Sequence, residues 1–239
     1  MKGQRVCVVE LPARHGALGA QVKLAGDLVG SSAPDLVVLP ELALTGYLTG
    51  DLDFDLTAFA EPLPVGTARL AALAQRCGAD VVGPVVEAFR GRAYNTTVGV
   101  TPAGKRWLHY RKRHPWYPET WATPGGGAFP LVEWRGLRVS CAVCFDLHFL
   151  PDEAASVLLS ADLLLFPSAW VDAGDTRRPM LEALAEAFGV TVLNANWGRG
   201  QPALQGQGGS MAVWPDGRVK LVGASKRLEV EVGRRDPRR

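Results

Sequence analysis

The stretch that decides the reading of this chain is Arg138–Glu153, RVSCAVCFDLHFLPDE. Val139, Cys141 and Val143 alternate with Ser140, Ala142 and Cys144, which predicts a mostly buried strand whose last residue is Cys144. Asp146 then suits an N-cap or first-turn position, and Pro151 followed by Asp152 and Glu153 opens a helix running through AASVLLS. A cysteine at a strand-to-helix turn directs its sulfur away from the sheet, with N–H groups of the next turn nearby to receive negative charge. That makes Cys144 a candidate nucleophile, set against packing, the commoner role of a strand cysteine. CAVC also has the spacing of half a metal site or of a dithiol pair. Cys7 and Cys77 are each solitary, so zinc lacks its further ligands, and a redox pair usually starts a helix, whereas Cys141 lies inside an apolar run. No metal site is predicted.

Upstream of this stretch, Val6–Leu11 reads as a buried strand, Ala17–Val29 has helical spacing, and Pro34 resets the chain into a strand over Leu36–Leu39. Strand, helix and strand at this interval predict a crossover unit. The second strand ends in LPELALTGYLTGDL, which places Glu41 at a carboxyl end, where open sheets present chemistry. A helix over Leu63–Cys77 is closed by Gly78, and the next strand is ADVVGPVVEAF. Segments around VVEAF, YNTTVGV and WLHYRK, parted by turn signals at Gly91 and Pro102–Gly104, predict an antiparallel meander and hence a mixed sheet. The irregular run Arg111–Pro130 carries Trp116, Tyr117 and Trp121, expected to form an ordered pocket wall.

Downstream come a strand in ADLLLFPSAW, a helix over Arg178–Phe188, the strand VTVLNAN, a Gly/Gln-rich loop, a hairpin of GGSMAVW with RVKLV, and a last strand, KRLEVEV. With no repeat and no low-complexity linker, residues 1–239 are read as a single domain with a basic tail from about 232. A net charge of +2 gives no footprint for nucleic acid, and the tail GRRDPRR is read as a solvated end. Apolar runs such as SADLLLFPSAWV are too short and too interrupted to span a membrane. Four cysteines and no signal-like leader predict a reducing, cytoplasmic setting.

Glu41, Lys112, Cys144 and the loops at Trp170 and Asn194 each fall at a strand end. A thiol of ordinary pKa, ~8.5, is only a few per cent thiolate at neutral pH, so a nucleophilic cysteine needs a base, a cation, or both. If the first three converge, Glu41 accepts the proton and Lys112 supplies the charge. Lys112 and a backbone N–H after Cys144 would then face the oxyanion, each such donor contributing about 3 kcal/mol. The chemistry implied is acyl transfer from an amide through a thioester.

PELALTGY around Glu41, YRKRHPWYPE around Lys112 and CFDLHFLPDE from Cys144 resemble the three signature blocks of the carbon–nitrogen hydrolase (nitrilase/amidase) superfamily, in family order and at family-like separations. FPSAW, NANWG, GGSM and PDG are similar to its later landmarks, so the resemblance covers nearly the whole chain. It implies an α/β fold, a four-layer-forming α-β-β-α sandwich with mixed sheets that pairs through its helical faces into a homodimer. It implies a Glu41, Lys112, Cys144 triad, with Glu119 holding substrate and lysine in place, a small-molecule amide as substrate, and no cofactor. Tyr47, Trp116, Phe145, Trp170 and Asn194 are candidates for the pocket wall, with core or dimer packing as the competing role.

The chain departs from the family pattern in two places. Leu147, His148 and Phe149 stand where the family often has an arginine, and relatives that hydrolyse N-carbamoyl amino acids use arginines there to grip a carboxylate. LEALAEAFG only partly resembles the family's Arg-Ala-x-Glu-Asn stretch. Arg177 and Arg178 are read as exposed helix-start arginines, with recognition of an acid as the competing role, and a small neutral amide is favoured. The alternatives are a nitrilase or N-carbamoyl amino acid hydrolase of the same superfamily, a non-catalytic binding or scaffold protein on this fold, and a dithiol redox protein using Cys141 and Cys144. None of His15, His109, His114 and His148 has the context of a Cys–His pair.

Overall fold

The computed structural model describes residues 3–48 and 53–235. Residues 49–52, the end of the Glu41 loop, and 236–239 of the basic tail lie outside the described residues. The first part of the chain forms β1 (Gln4–Val9), β2 (Pro12–Arg14), α1 (Leu18–Val29), β3 (Leu36–Val38), β4 (Glu61–Pro62), α2 (Leu63–Cys77), β5 (Asp80–Phe89), β6 (Arg92–Val100) and β7 (Arg106–Arg111). The remainder forms β8 (Val132–Trp134), β9 (Leu137–Cys141), α3 (Leu150–Glu153), α4 (Ala155–Ser160), β10 (Leu163–Ser168), α5 (Arg177–Phe188), β11 (Thr191–Asn196), β12 (Gly198–Gln201), β13 (Met211–Val213), β14 (Val219–Leu221) and β15 (Arg227–Val232).

One mixed sheet has the order β15-β1-β3-β5-β6-β7, with β4 beside β5, and the other runs β14-β13-β11-β10-β9-β8. Strands β1, β3 and β5 are parallel, as are β9, β10 and β11, so each sheet has a parallel centre with antiparallel flanks. The apolar runs are buried on both faces, as expected for strands covered on two sides. Val6 and Val8 of β1 face the other sheet in a core shared with Val139, Leu163, Leu165 and Val192, while Cys7 and Val9, one residue out of phase, pack beneath α1 and α2. On the far side Leu158 of α4 and Leu181, Leu184 and Ala185 of α5 join the core of the second sheet. The result is the helix–sheet–sheet–helix sandwich.

Local signals placed most elements. Gly78 takes a left-handed conformation (φ 60°) and its N–H closes α2 onto Ala74 and Gln75. Arg90 and Gly91, both at positive φ (50° and 73°), make the tight turn joining β5 to β6. ADVVGPVVEAF and VVEAF, read as two segments, are one ten-residue strand, pairing in parallel with β3 at its start and antiparallel with β6 throughout. The strand predicted to reach Cys144 stops at Cys141, and Cys144 opens a 3-10 turn, Cys144–His148, at φ 47°. The helix expected through AASVLLS is two short helices broken at Ala154 (φ −123°). Among the described residues no helix is long and apolar enough to cross a membrane.

Candidate active site

The parallel centres of both sheets direct their carboxyl ends to one edge, and the polar residues collect there. Glu41 lies three residues beyond β3, fully buried. Lys112 follows β7 directly, and its N–H continues the β6 ladder by donating to the Asn95 carbonyl at 2.8 Å, which fixes Lys112 opposite Asn95. The Lys112 ammonium, fully buried, donates to Glu41 Oε1 (2.7 Å) and to Glu119 Oε2 (2.5 Å). Asn95 completes the bridge: its Nδ2 donates to Glu41 Oε1 (2.7 Å) and Glu119 Oε1 (3.0 Å). Glu119 also accepts the Trp116 N–H (2.6 Å), which folds the irregular loop back onto the lysine.

Cys144 reaches this cluster from the other sheet. Positive φ is a strained conformation for a residue with a side chain, and such positions gather at functional turns. Asp146 holds the turn: its Oδ2 accepts the Val143 N–H (2.9 Å) and the Tyr110 hydroxyl (2.8 Å), and its Oδ1 accepts the His114 N–H (2.9 Å). A single carboxylate therefore ties the cysteine turn to the lysine segment. Past β10, the Ala169 N–H donates to Glu41 Oε2 (2.9 Å). The Ala169 N–H and the Lys112 ammonium thus hold the two oxygens of the Glu41 carboxylate.

The electrostatics follow from burial. Burial pushes the Glu41 carboxyl up from its ordinary range, with Lys112 pulling it down and Glu119 pushing it further up. Burial disfavours the Lys112 ammonium, but Glu119 and Glu41 outweigh it and keep the group charged. Burial and Glu41 push the Cys144 thiol well above its ordinary value, against Lys112 and the Ala169 N–H. The resting thiol is protonated beside a carboxylate of raised proton affinity. Cys144 is buried, with 7% of the residue exposed.

The aromatic residues divide. Tyr47 is buried, packs edge-on against Trp197 and Phe54, stacks with Trp116, and feels Glu119, Glu41 and Cys144. Trp170 stacks on His148, which meets Phe145 edge-on, so these rings stand around the cysteine turn. Asn194 is not at the site: it is fully buried between β10 and β11, donating to the Phe166 carbonyl and Ser168 hydroxyl, both at 2.8 Å. Asn196, two residues on, occupies the strand end, accepting from Trp170 N–H (2.8 Å) and donating to the Gly208 carbonyl (2.8 Å). Tyr117 projects into solvent with 80% exposed and so does not form the expected wall, whereas Trp121 is buried in the cluster that also holds Tyr47, Trp116 and Trp197.

Arg178 is exposed as expected, paired with Glu182 one turn along, but Arg177 is buried. Cys141 is fully buried in β9, where burial and Asp146 hold its thiol protonated, unlike the exposed low-pKa thiol that a redox pair needs. Among the described residues no three His, Cys, Asp or Glu side chains gather as metal ligands. The histidines have other neighbours: His15 meets Phe59, His109 meets Glu87, and His114 stacks on Phe149.

A buried acid, ammonium and thiol at the strand ends of a helix–sheet–sheet–helix sandwich define a thiol hydrolase site. The chain belongs to the carbon–nitrogen hydrolase family, whose model matches residues 11–234. It is 34% identical over 221 residues to an (R)-stereoselective amidase from Pseudomonas sp., covering 90% of this chain and 79% of that one. Its fold matches the amidase from Nesterenkonia sp. AN1, solved as an active-site mutant in complex with butyramide, with TM-score 0.84 and 24% identity over 97% of this chain and 91% of that one. It also matches a carbon–nitrogen hydrolase superfamily protein from Xanthomonas campestris that carries an arsenic adduct in its active site, with TM-score 0.81 and 24% identity over 98% and 91% of the two chains. The chain is thus an enzyme class member acting on non-peptide C–N bonds.

Proposed function

We propose that this protein is a thiol amidase that hydrolyses a small carboxylic acid amide to the acid and ammonia, with Cys144 as nucleophile, Glu41 as proton shuttle, Lys112 as oxyanion donor and Glu119 as the group that fixes Lys112. Cys144 Sγ bonds to the amide carbon as its proton passes to Glu41. The oxyanion is met by Lys112 and by the Phe145 N–H, which at the start of a 3-10 turn has no partner within the turn. Glu41 returns the proton to the amide nitrogen, the C–N bond breaks, and ammonia leaves a thioester. Water then loses a proton to Glu41 and attacks that thioester, and the carbonyl collapses to expel the sulfur, which recovers the proton.

The observation that carries this reading is the fully buried Lys112 ammonium held by Glu41 Oε1 (2.7 Å) and Glu119 Oε2 (2.5 Å), a charged cluster that acts directly on the Cys144 thiol. Ammonia release from a panel of short amides tests it: wild type is active and Cys144→Ala inactive, whereas equal rates overturn the proposal and favour a binding protein on this fold. We further propose that two copies associate through helix-covered faces, where α4 leaves Leu159 half exposed (51%), and that the protein works in the cytoplasm, where its four free thiols stay reduced. Sedimentation at twice the monomer mass supports the dimer, and a monomer at micromolar concentration refutes it.

A further inference from the structure

Arg177 opens α5 with only 1% of its side chain exposed. Its Nη2 donates to the carbonyls of Gly209 (3.1 Å) and Gly208 (3.3 Å) and to Asp175 Oδ2 (3.3 Å), while Nε and Nη1, equally buried, have no hydrogen-bond partner. Asp175 is itself 41% exposed, so it neutralises the guanidinium only in part. A neutral donor would serve two carbonyls. Burying a cation with donors left unpaired is among the costlier arrangements a fold contains, and such a group warrants a functional explanation.

What Arg177 holds is a loop that the site leans on. Gly206, Gly208 and Gly209 all take positive φ (81°, 94° and 69°), where a residue with a side chain would be strained. Gly206 O (3.3 Å) and Gly208 O (2.8 Å) accept Asn196 Nδ2, so Gly208 O is shared between Asn196 and Arg177. With Nδ2 engaged there, Asn196 turns its Oδ1 to the end of β10, where it accepts the Ser168 hydroxyl (2.9 Å) and the Trp170 N–H (2.8 Å). Ala169 lies between those two residues, and its N–H is the one on Glu41 Oε2 (2.9 Å). Arg177, Asn196, Ser168 and Glu41 are all fully buried, where each bond of such a network is stronger and its loss more costly than in water.

We infer that Arg177 is a positioning residue for the proton shuttle: through the Gly208 and Gly209 carbonyls and then Asn196, it sets the Ala169 N–H on Glu41. The inference rests on the amidase reading above, in which ionised Glu41 takes the thiol proton. Lys112 and Asn95 on Oε1 favour the ionised carboxyl, Glu119 opposes it, and Tyr47 and Cys144 lie in the same field. The Ala169 N–H serves the other oxygen, so loosening it raises the proton affinity of Glu41. Around the guanidinium the charged and titratable groups are Asp175, Glu10 with its partner Lys226, and Cys144.

The test is the pH dependence of Cys144 alkylation by iodoacetamide in the full-length protein, read by peptide mapping, beside ammonia release from the panel of short amides. In alkylation the sulfur bonds to the methylene carbon, iodide leaves and the thiol proton passes to Glu41, so the acid limb of the rate reports Glu41 without a known substrate. An N–H lost outright from a carboxylate moves that limb by about one pH unit, and one loosened by about half a unit. Arg177→Gln is expected to raise the limb by about half a unit, leaving the variant slow below it and near wild type above it. In an Asn196→Ala background, Arg177→Gln should add no further shift, since both act through one chain of bonds. A limb that stays in place, or an equal second shift in the Asn196→Ala background, overturns the inference and leaves the amidase reading standing; equal ammonia release by wild type and Cys144→Ala overturns the amidase reading and this inference with it. If Arg177→Gln does not fold, Gly209→Ala decides: a methyl there meets Arg177 Nη2 at 3.1 Å and displaces the guanidinium without removing its charge. The limb should rise in the same way, and an unmoved limb overturns the inference.

Discussion

Removing the Asn95 side chain should displace the pH dependence of hydrolysis rather than simply lower the rate. Asn95 Nδ2 lies 2.7 Å from Glu41 Oε1 and 3.0 Å from Glu119 Oε1, and its bond to Glu41 opposes the upward push of burial on that carboxyl. A hydrogen bond to a charged group contributes about 1.5–3 kcal/mol, and Lys112 remains on the same oxygen in Asn95→Ala, so the lower end applies. That corresponds to about one pH unit. The bond favours the ionised form, so its loss raises the proton affinity of Glu41. Only ionised Glu41 takes the thiol proton, so the acid limb of the kcat/KM profile moves up by about one unit. Below that limb the variant is about tenfold slower, and the deficit shrinks as pH rises. Asn95→Asp, which adds a third carboxyl, shifts the limb further in the same direction. Initial rates of ammonia release across pH measure this directly. An acid limb that stays in place while activity falls equally at every pH would refute the reasoning and reduce Asn95 to a packing role.

Three further outcomes are expected. Burial pushes the Glu87 carboxyl up, but bonds from His109, Arg111 and Thr96 outweigh it and hold it at about 2, against an ordinary 4.5. The depressed value contributes about 3 kcal/mol of stability, fully present above pH 4.5 and lost as pH falls toward 2, so the stability gap between wild type and Glu87→Gln in urea should shrink between pH 6 and pH 3; a constant gap contradicts this. Asp146→Asn places an amide where Asp146 accepts two N–H groups and a hydroxyl, and should cost about 2–3 kcal/mol in denaturant unfolding; an unchanged midpoint contradicts it. Brief treatment with iodoacetamide should label Cys144 before Cys7 and Cys141, which are fully buried, burial pushing the Cys7 thiol up to about 12; peptide mapping that finds either of those labelled first would contradict the site described.

The residues that reach the site are legible where each stands at the end of a strand. Glu41, Lys112 and Cys144 each follow an apolar run that stops, whereas Glu119 is singled out only by the resemblance of its block to the family's. Asn95 was not legible, because within YNTTVGV it reads as one polar position of an alternating strand. Its role comes from the β6–β7 register, which sets it opposite Lys112. The burial of Arg177 is hidden for a similar reason: nothing in DTRRPM distinguishes it from its exposed neighbour Arg178. Its burial depends on the Gly208–Gly209 loop, some thirty residues later. Asn194 and Asn196 share one face of β11, and spacing alone does not say which of them is the strand-end residue. The turn at Cys144 has its positive φ from tertiary bonds to Asp146, which local pattern does not encode.

The most direct test is to quench wild-type enzyme in acid during turnover of an amide and locate the acyl group by mass spectrometry of its peptides. The account predicts one acyl adduct, on Cys144 as a thioester, absent when Cys144→Ala is treated in the same way. An adduct on any other residue, or sustained ammonia release by Cys144→Ala, would contradict it.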